Sequence, residues 1–98
     1  MVTRLALLGA GRIGKVHAKA IASDPRAKLV AVVDAMEAAA KAIADEAGCK
    51  VSTIEEVLTD RQVDAAIICT PTNTHADLIE KFARAGKAIF CEKPIDLD

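Results

Sequence analysis

The sequence predicts an α/β fold built on a doubly wound parallel sheet, and three observations lead there. Short apolar runs alternate with stretches of helical periodicity along the whole chain. The connections between them are brief, which favours right-handed crossovers joining parallel strands. A glycine-rich turn stands between the first apolar run and the first helical stretch.

The elements follow in order. Leu5-Ala6-Leu7-Leu8 is a continuous apolar run ended by glycine, the pattern of a strand buried on both faces. From Arg12, Ile13, Val16 and Ala20 recur at helical spacing with Ile21 alongside, and Asp24-Pro25 closes the helix. Leu29 to Val33 forms a second strand ending at Asp34. The next helix is expected to carry Met36, Ala40, Ile43 and Ala47 on one stripe, a Glu37–Lys41 pair on the other side, and Gly48 at its stop. A short strand around Lys50-Val51-Ser52 precedes Thr53-Ile54-Glu55-Glu56, a capping box that opens a brief helix. Ala65 to Cys69 reads as a fourth strand, followed by the turn Thr70-Pro71-Thr72-Asn73. Thr74 can cap a helix with the stripe Leu78, Ile79, Phe82 and Ala83, which Gly86 ends. Ala88 to Cys91 is a fifth strand, and the tail from Glu92 to Asp98 shows no clear periodicity.

Composition bounds what the chain does. At 98 residues it is one domain at most, and a chain of that size buries only about two-thirds of its unfolded surface. A net charge of −1 gives no electrostatic reason to expect nucleic acid or an anionic membrane as partner. With Phe82 and Phe90 as its aromatics, the core must come from Ala, Val, Ile and Leu. No stretch approaches the roughly 20 apolar residues of a membrane span. The apolar run after Arg4 is also shorter than the roughly 7–15 residues of a signal peptide. Cys49, Cys69 and Cys91 are odd in number and lack metal-ligand spacing, so reduced thiols in a cytoplasmic protein with no metal are expected.

Gly9-Ala10-Gly11-Arg12-Ile13-Gly14 carries the chemistry. G-x-G-x-x-G is a weak pattern by itself, but here a strand precedes it, a helix follows, and Asp34 ends the next strand 20 residues after Gly14. Gly9 allows the turn, Gly11 lets a pyrophosphate approach the backbone, and Gly14 permits close contact of helix and sheet. The ligand this setting implies is NAD. The alternative is a glycine-rich turn that serves packing only. Asp34 is suited to accept hydrogen bonds from the adenosine ribose hydroxyls, or it caps the next helix with Glu37 completing a box. Ala35 follows it where a basic residue would welcome a 2′-phosphate, so NAD is favoured over NADP. Arg12 either helps neutralise phosphate charge or is solvated in the first helical turn. His17 is expected to be structural.

Ligands of doubly wound sheets sit at the C-terminal strand ends, near the point where strand order reverses. That places Thr70, Pro71, Asn73 and His75 at the border of the cofactor, with His75 the weaker candidate. The alternative is that Pro71 shapes the turn while Asn73 or Thr74 caps a helix. Lys93 follows the fifth strand, where an ammonium can bind a substrate hydroxyl and help carry its proton. Glu92 can orient the ribose or the lysine. By spacing alone, Lys93 ranks as an ordinary surface lysine.

GAGRIGKVHA, the strand ending VVDA, CTPTNTHADLI and CEKPIDLD together resemble the N-terminal domain of the glucose–fructose oxidoreductase/inositol dehydrogenase family, over all 98 positions. The resemblance implies an NAD-dependent oxidoreductase acting on a cyclic polyol or sugar hydroxyl, best myo-inositol, giving 2-keto-myo-inositol. It implies that Lys93 assists catalysis, and that Gly9, Gly11, Gly14, Asp34, Thr70, Asn73, His75 and Glu92 contact the cofactor. Family enzymes continue with a last strand and a second α/β domain supplying an Asp and a His as substrate ligand and general base. Neither is among these residues. Residues 1–98 are therefore expected to be a partial NAD-binding Rossmann domain without its substrate domain, inactive as a dehydrogenase unaided. An uncovered sheet edge further suggests a homo-oligomer. A non-catalytic nucleotide-binding module and a self-assembling structural fragment are the competing readings.

Overall fold

The computed structural model describes residues 2–69 and 75–91. Five strands, β1 (Thr3–Leu8), β2 (Ala27–Val33), β3 (Lys50–Val51), β4 (Ala65–Ile68) and β5 (Ala88–Cys91), alternate with α1 (Arg12–Ala22), α2 (Glu37–Ala47), α3 (Ile54–Thr59) and α4 (His75–Arg84). The strands are all parallel, in the order β3-β2-β1-β4-β5. The chain starts in the middle, winds outward to β3, then crosses to β4 and winds out the other way. This is the doubly wound sheet expected from the alternation of elements. The order reverses between β1 and β4, where Leu8 lies opposite both Val33 and Ile68.

Side chains alternate across a strand, so β1 feeds two cores. Leu5 and Leu7 join Ile21, Leu29, Val32, Ile43 and Ile67 beneath α1 and α2. Ala6 and Leu8 join Val57, Val63, Ile68, Leu78 and Phe82 beneath α3 and α4. Both faces of the central strands are thus covered, which is why they read as unbroken apolar runs. At the bottom of the sheet, the Asp64 carboxylate accepts the Arg4 backbone N–H at 2.8 Å and its guanidinium at 3.4 Å. The backbone bond first, and the side chain second, hold the Asp64 carboxyl below its ordinary value. Lys87 closes the same end, donating to the carbonyls of Asp60 at 2.8 Å and Val63 at 2.9 Å.

The helix faces differ from the expected stripes in three places. In α1, Val16 is 57% exposed and Ala20 faces solvent, while Gly14 and Ile21 are buried with Ala18 packed beside them. The seat of Gly14 on the loop sets the rotation of the helix, and the apolar period alone does not. In α2, Ala40, Ile43 and Ala44 form the buried line, leaving Met36 and Ala47 outside. Lys41 pairs with Asp45 at 3.6 Å, one turn after the Glu37 expected as its partner. In α4, Leu78 and Phe82 are buried, whereas Ile79 and Ala83 face outward. Other boundaries move by a residue or two: β1 begins at Thr3, and β3 and β4 each stop one residue early.

Several local signals hold. Gly48 ends α2 at φ +74°, and Gly86 has φ +77° after α4. The Thr53 hydroxyl accepts the Glu56 N–H at 3.1 Å while the Glu56 carboxylate accepts the Thr53 N–H at 2.9 Å, completing the capping box. Cys49 is half-buried against the core beneath α1 and α2. Burial pushes its thiol up, as befits a neutral packing group.

Candidate cofactor-binding site

The C-terminal end of β1 meets the N-terminus of α1 at the switch in strand order. Gly9 leaves the strand at φ +106°, a conformation that a side chain rarely allows. Its N–H donates to the Val33 carbonyl at 2.7 Å, so β2 holds the start of the loop. The Cys69 N–H donates to the Leu8 carbonyl at 2.7 Å, so β4 ends beside the same point. A Cβ on Gly14 would collide with the Gly9 carbonyl oxygen. The glycine at position 14 therefore lets α1 rest directly on the loop.

Gly11 is the N-cap of α1, is exposed, and places no side chain over the helix start. A Cβ there would meet nothing within 4 Å, which leaves the loop open to a bulky anion. Backbone N–H groups at an uncapped helix N-terminus favour negative charge. Arg12 is exposed in the first turn and Ile13 is half-buried behind it. Asp34, half-buried, follows β2. Its Oδ2 accepts the Ala10 N–H at 2.9 Å and its Oδ1 accepts the Met36 N–H at 3.3 Å.

Gly9, Gly11, Arg12, Ile13, Gly14 and Asp34 thus lie together at one end of the sheet, where β1 and β2 finish and α1 begins. The capping box weighed for Asp34 and Glu37 does not form: the N-cap of α2 is Met36, with no side-chain cap. His75 opens α4. Thr70, Pro71, Asn73, Glu92 and Lys93 lie outside the described residues. The bond from Ala10 to Asp34 was not anticipated from the sequence. The register that creates it, Leu8 paired with Val33, brings the residues after both strands together and is not readable from the sequence.

Residues 3–98 match the oxidoreductase family with the NAD-binding Rossmann fold. The chain belongs to that family. Within it, the chain is 66% identical over 98 residues to inositol 2-dehydrogenase of Rhizobium meliloti strain 1021, covering all of this chain and 30% of that protein. It is 48% identical over 97 residues to scyllo-inositol 2-dehydrogenase (NAD(+)) of Bacillus subtilis strain 168, covering 96% of this chain and 28% of that one. The crystal structure of scyllo-inositol dehydrogenase from Lactobacillus casei, with bound NAD(H) and scyllo-inositol, superposes with a TM-score of 0.87 at 33% identity. That match covers all of this chain and 30% of the other. The chain therefore spans less than a third of the length of these relatives.

Proposed function

We propose that residues 1–98 are the cofactor-binding portion of an NAD-dependent oxidoreductase acting on a cyclic polyol or sugar hydroxyl, with myo-inositol the favoured substrate and 2-keto-myo-inositol its product. The single observation that carries the reading is the glycine loop with Asp34 drawn against it, in a chain 66% identical to an inositol 2-dehydrogenase. The residues present fit a dinucleotide. An open backbone at Gly11 and the start of α1 receive the pyrophosphate, and Asp34 accepts the adenosine ribose hydroxyls.

NAD, when bound, supplies a hydride acceptor. Oxidising the substrate alcohol to a ketone would also require a base for the hydroxyl proton. Lys93 binds the reacting hydroxyl and assists that proton, Glu92 orients the ribose or the lysine, and Thr70, Pro71, Asn73 and His75 border the cofactor. The support for these six is the family resemblance and their sequence position after β4 and β5. The anionic Asp34, followed by Ala35, disfavours a 2′-phosphate and selects NAD over NADP.

Among the described residues no helix is long and apolar enough to cross a membrane. A cytoplasmic location is proposed from the cysteine pattern, and a homo-oligomer from β5, an edge strand among the described residues, with Phe90 58% exposed. Because the relatives are more than three times longer, these residues alone bind cofactor without turning over substrate. Calorimetric titration of the chain with NAD and NADP, beside an assay of NADH production from myo-inositol, tests both parts. NAD is expected to bind at least about tenfold more tightly than NADP, a difference of about 1.4 kcal/mol. NADH is expected only from the protein extended through its second domain, and to drop sharply there with Lys93→Ala. Equal NADP affinity would overturn the selectivity, and robust turnover by the 98 residues would overturn the division of labour.

A further inference from the structure

Asp34 is occupied before any ligand reaches it. Its carboxylate takes the N–H of Ala10, the second residue of the glycine loop, at 2.9 Å, and that of Met36 at 3.3 Å. Ala10 is 1% exposed, so water is poorly placed to replace its partner. The preceding amide, Gly9 N–H, is held by the Val33 carbonyl at 2.7 Å. Two consecutive residues at the end of β2 therefore grip two consecutive amides of the loop. On the other side the loop is braced by Gly14, which admits no side chain against the Gly9 carbonyl.

We propose that Asp34 is a positioning residue for the pyrophosphate loop, so that ribose recognition and the shape of the phosphate cradle are coupled through one carboxylate. This deepens the cofactor reading above and rests on it. A carboxylate offers about four acceptor sites, so two backbone bonds leave room for ribose hydroxyls. The loop is thus set before the cofactor binds. The coupling has a consequence for specificity: removing the carboxylate to admit a 2′-phosphate also releases Ala10. Asp34→Ala then weakens NAD and NADP together and does not exchange one for the other. Asp34→Asn keeps an amide oxygen for Ala10, and so the loop tether, while losing the charge and the Met36 bond, where its NH2 replaces an acceptor.

Amide hydrogen exchange of the ligand-free chain reads the tether directly. Exchange at Ala10 is expected to accelerate by about tenfold or more in Asp34→Ala, and by about threefold at most in Asp34→Asn, with Leu7 unchanged in both. Inorganic pyrophosphate, which has no ribose, is expected to bind about tenfold more weakly to Asp34→Ala and near normally to Asp34→Asn. Unchanged Ala10 exchange or unchanged pyrophosphate affinity in Asp34→Ala overturns the proposal. Should that variant fail to fold, the wild-type chain decides: a through-hydrogen-bond coupling between the Ala10 nitrogen and the Asp34 carboxyl carbon supports the tether, and its absence overturns it. A wild type that binds no NAD refutes the cofactor reading, whereas protected Ala10 exchange reports on the tether separately.

Discussion

Gly11 and Gly14 occupy one motif three residues apart, yet the structure gives them different physical tasks. At Gly14 a methyl group would press on the Gly9 carbonyl, so Gly14→Ala must push α1 off the loop. Forced overpacking costs about 1–3 kcal/mol, and denaturant unfolding of this variant is expected to show a loss in that range. At Gly11, φ −79° and ψ −160° suit any residue and the space is open. Gly11→Ala is therefore expected to unfold within about 0.5 kcal/mol of wild type. On the proposed cofactor reading its NAD affinity, measured by titration, should nevertheless fall at least about tenfold, because the methyl would stand where the pyrophosphate is to approach. Equal stability losses at both glycines would show that the two roles are not separate. The motif reveals which residues matter, but backbone angles and neighbouring atoms divide stability from binding.

Elements were legible where a local rule governs them. The box of Thr53 and Glu56 involves atoms three residues apart, and the sequence shows it whole. Thr53→Ala is expected to lower stability by about 1 kcal/mol, the usual worth of an N-cap. Helix rotation was less legible, because a 3.6-residue period leaves neighbouring faces close in apolar content. Val16, Ile79 and Ala83 looked like core and face solvent, while Phe82 is fully buried between α4 and the sheet. Phe82→Ala is expected to cost about 3–5 kcal/mol, readable as a lower urea midpoint. In a domain of this size that is a large share of a total of about 5–15 kcal/mol. A loss near that of Thr53→Ala would show that α4 contributes little to the cooperative core.

At the scale of the whole molecule, the sheet is covered unevenly. An apolar groove lined by Leu5, Ile21, Ile67 and Phe90 opens beside α1, and the edge strand β5 adjoins it. Unpaired strand edges and exposed apolar side chains both promote association. Analytical ultracentrifugation of the 98 residues is expected to show mass above the monomer at high concentration, with Phe90→Asp shifting it towards monomer. A monomeric wild type at every concentration would remove the homo-oligomer from the proposal.

The sequence by itself determined the order of elements, the doubly wound class, the glycine loop and the acid at the end of β2, since each rests on spacing or on conformational needs of a few adjacent residues. The family followed from the same stretches. Only the tertiary structure decided which helix faces turn inward, because that depends on how α1 seats at Gly14 and how α2 and α4 lie on the sheet. It alone also decided that Asp34 reaches back to Ala10, 24 residues earlier. That bond exists because parallel pairing of β1 with β2 sets the C-terminal ends of the two strands side by side, a proximity that sheet register creates across intervening sequence.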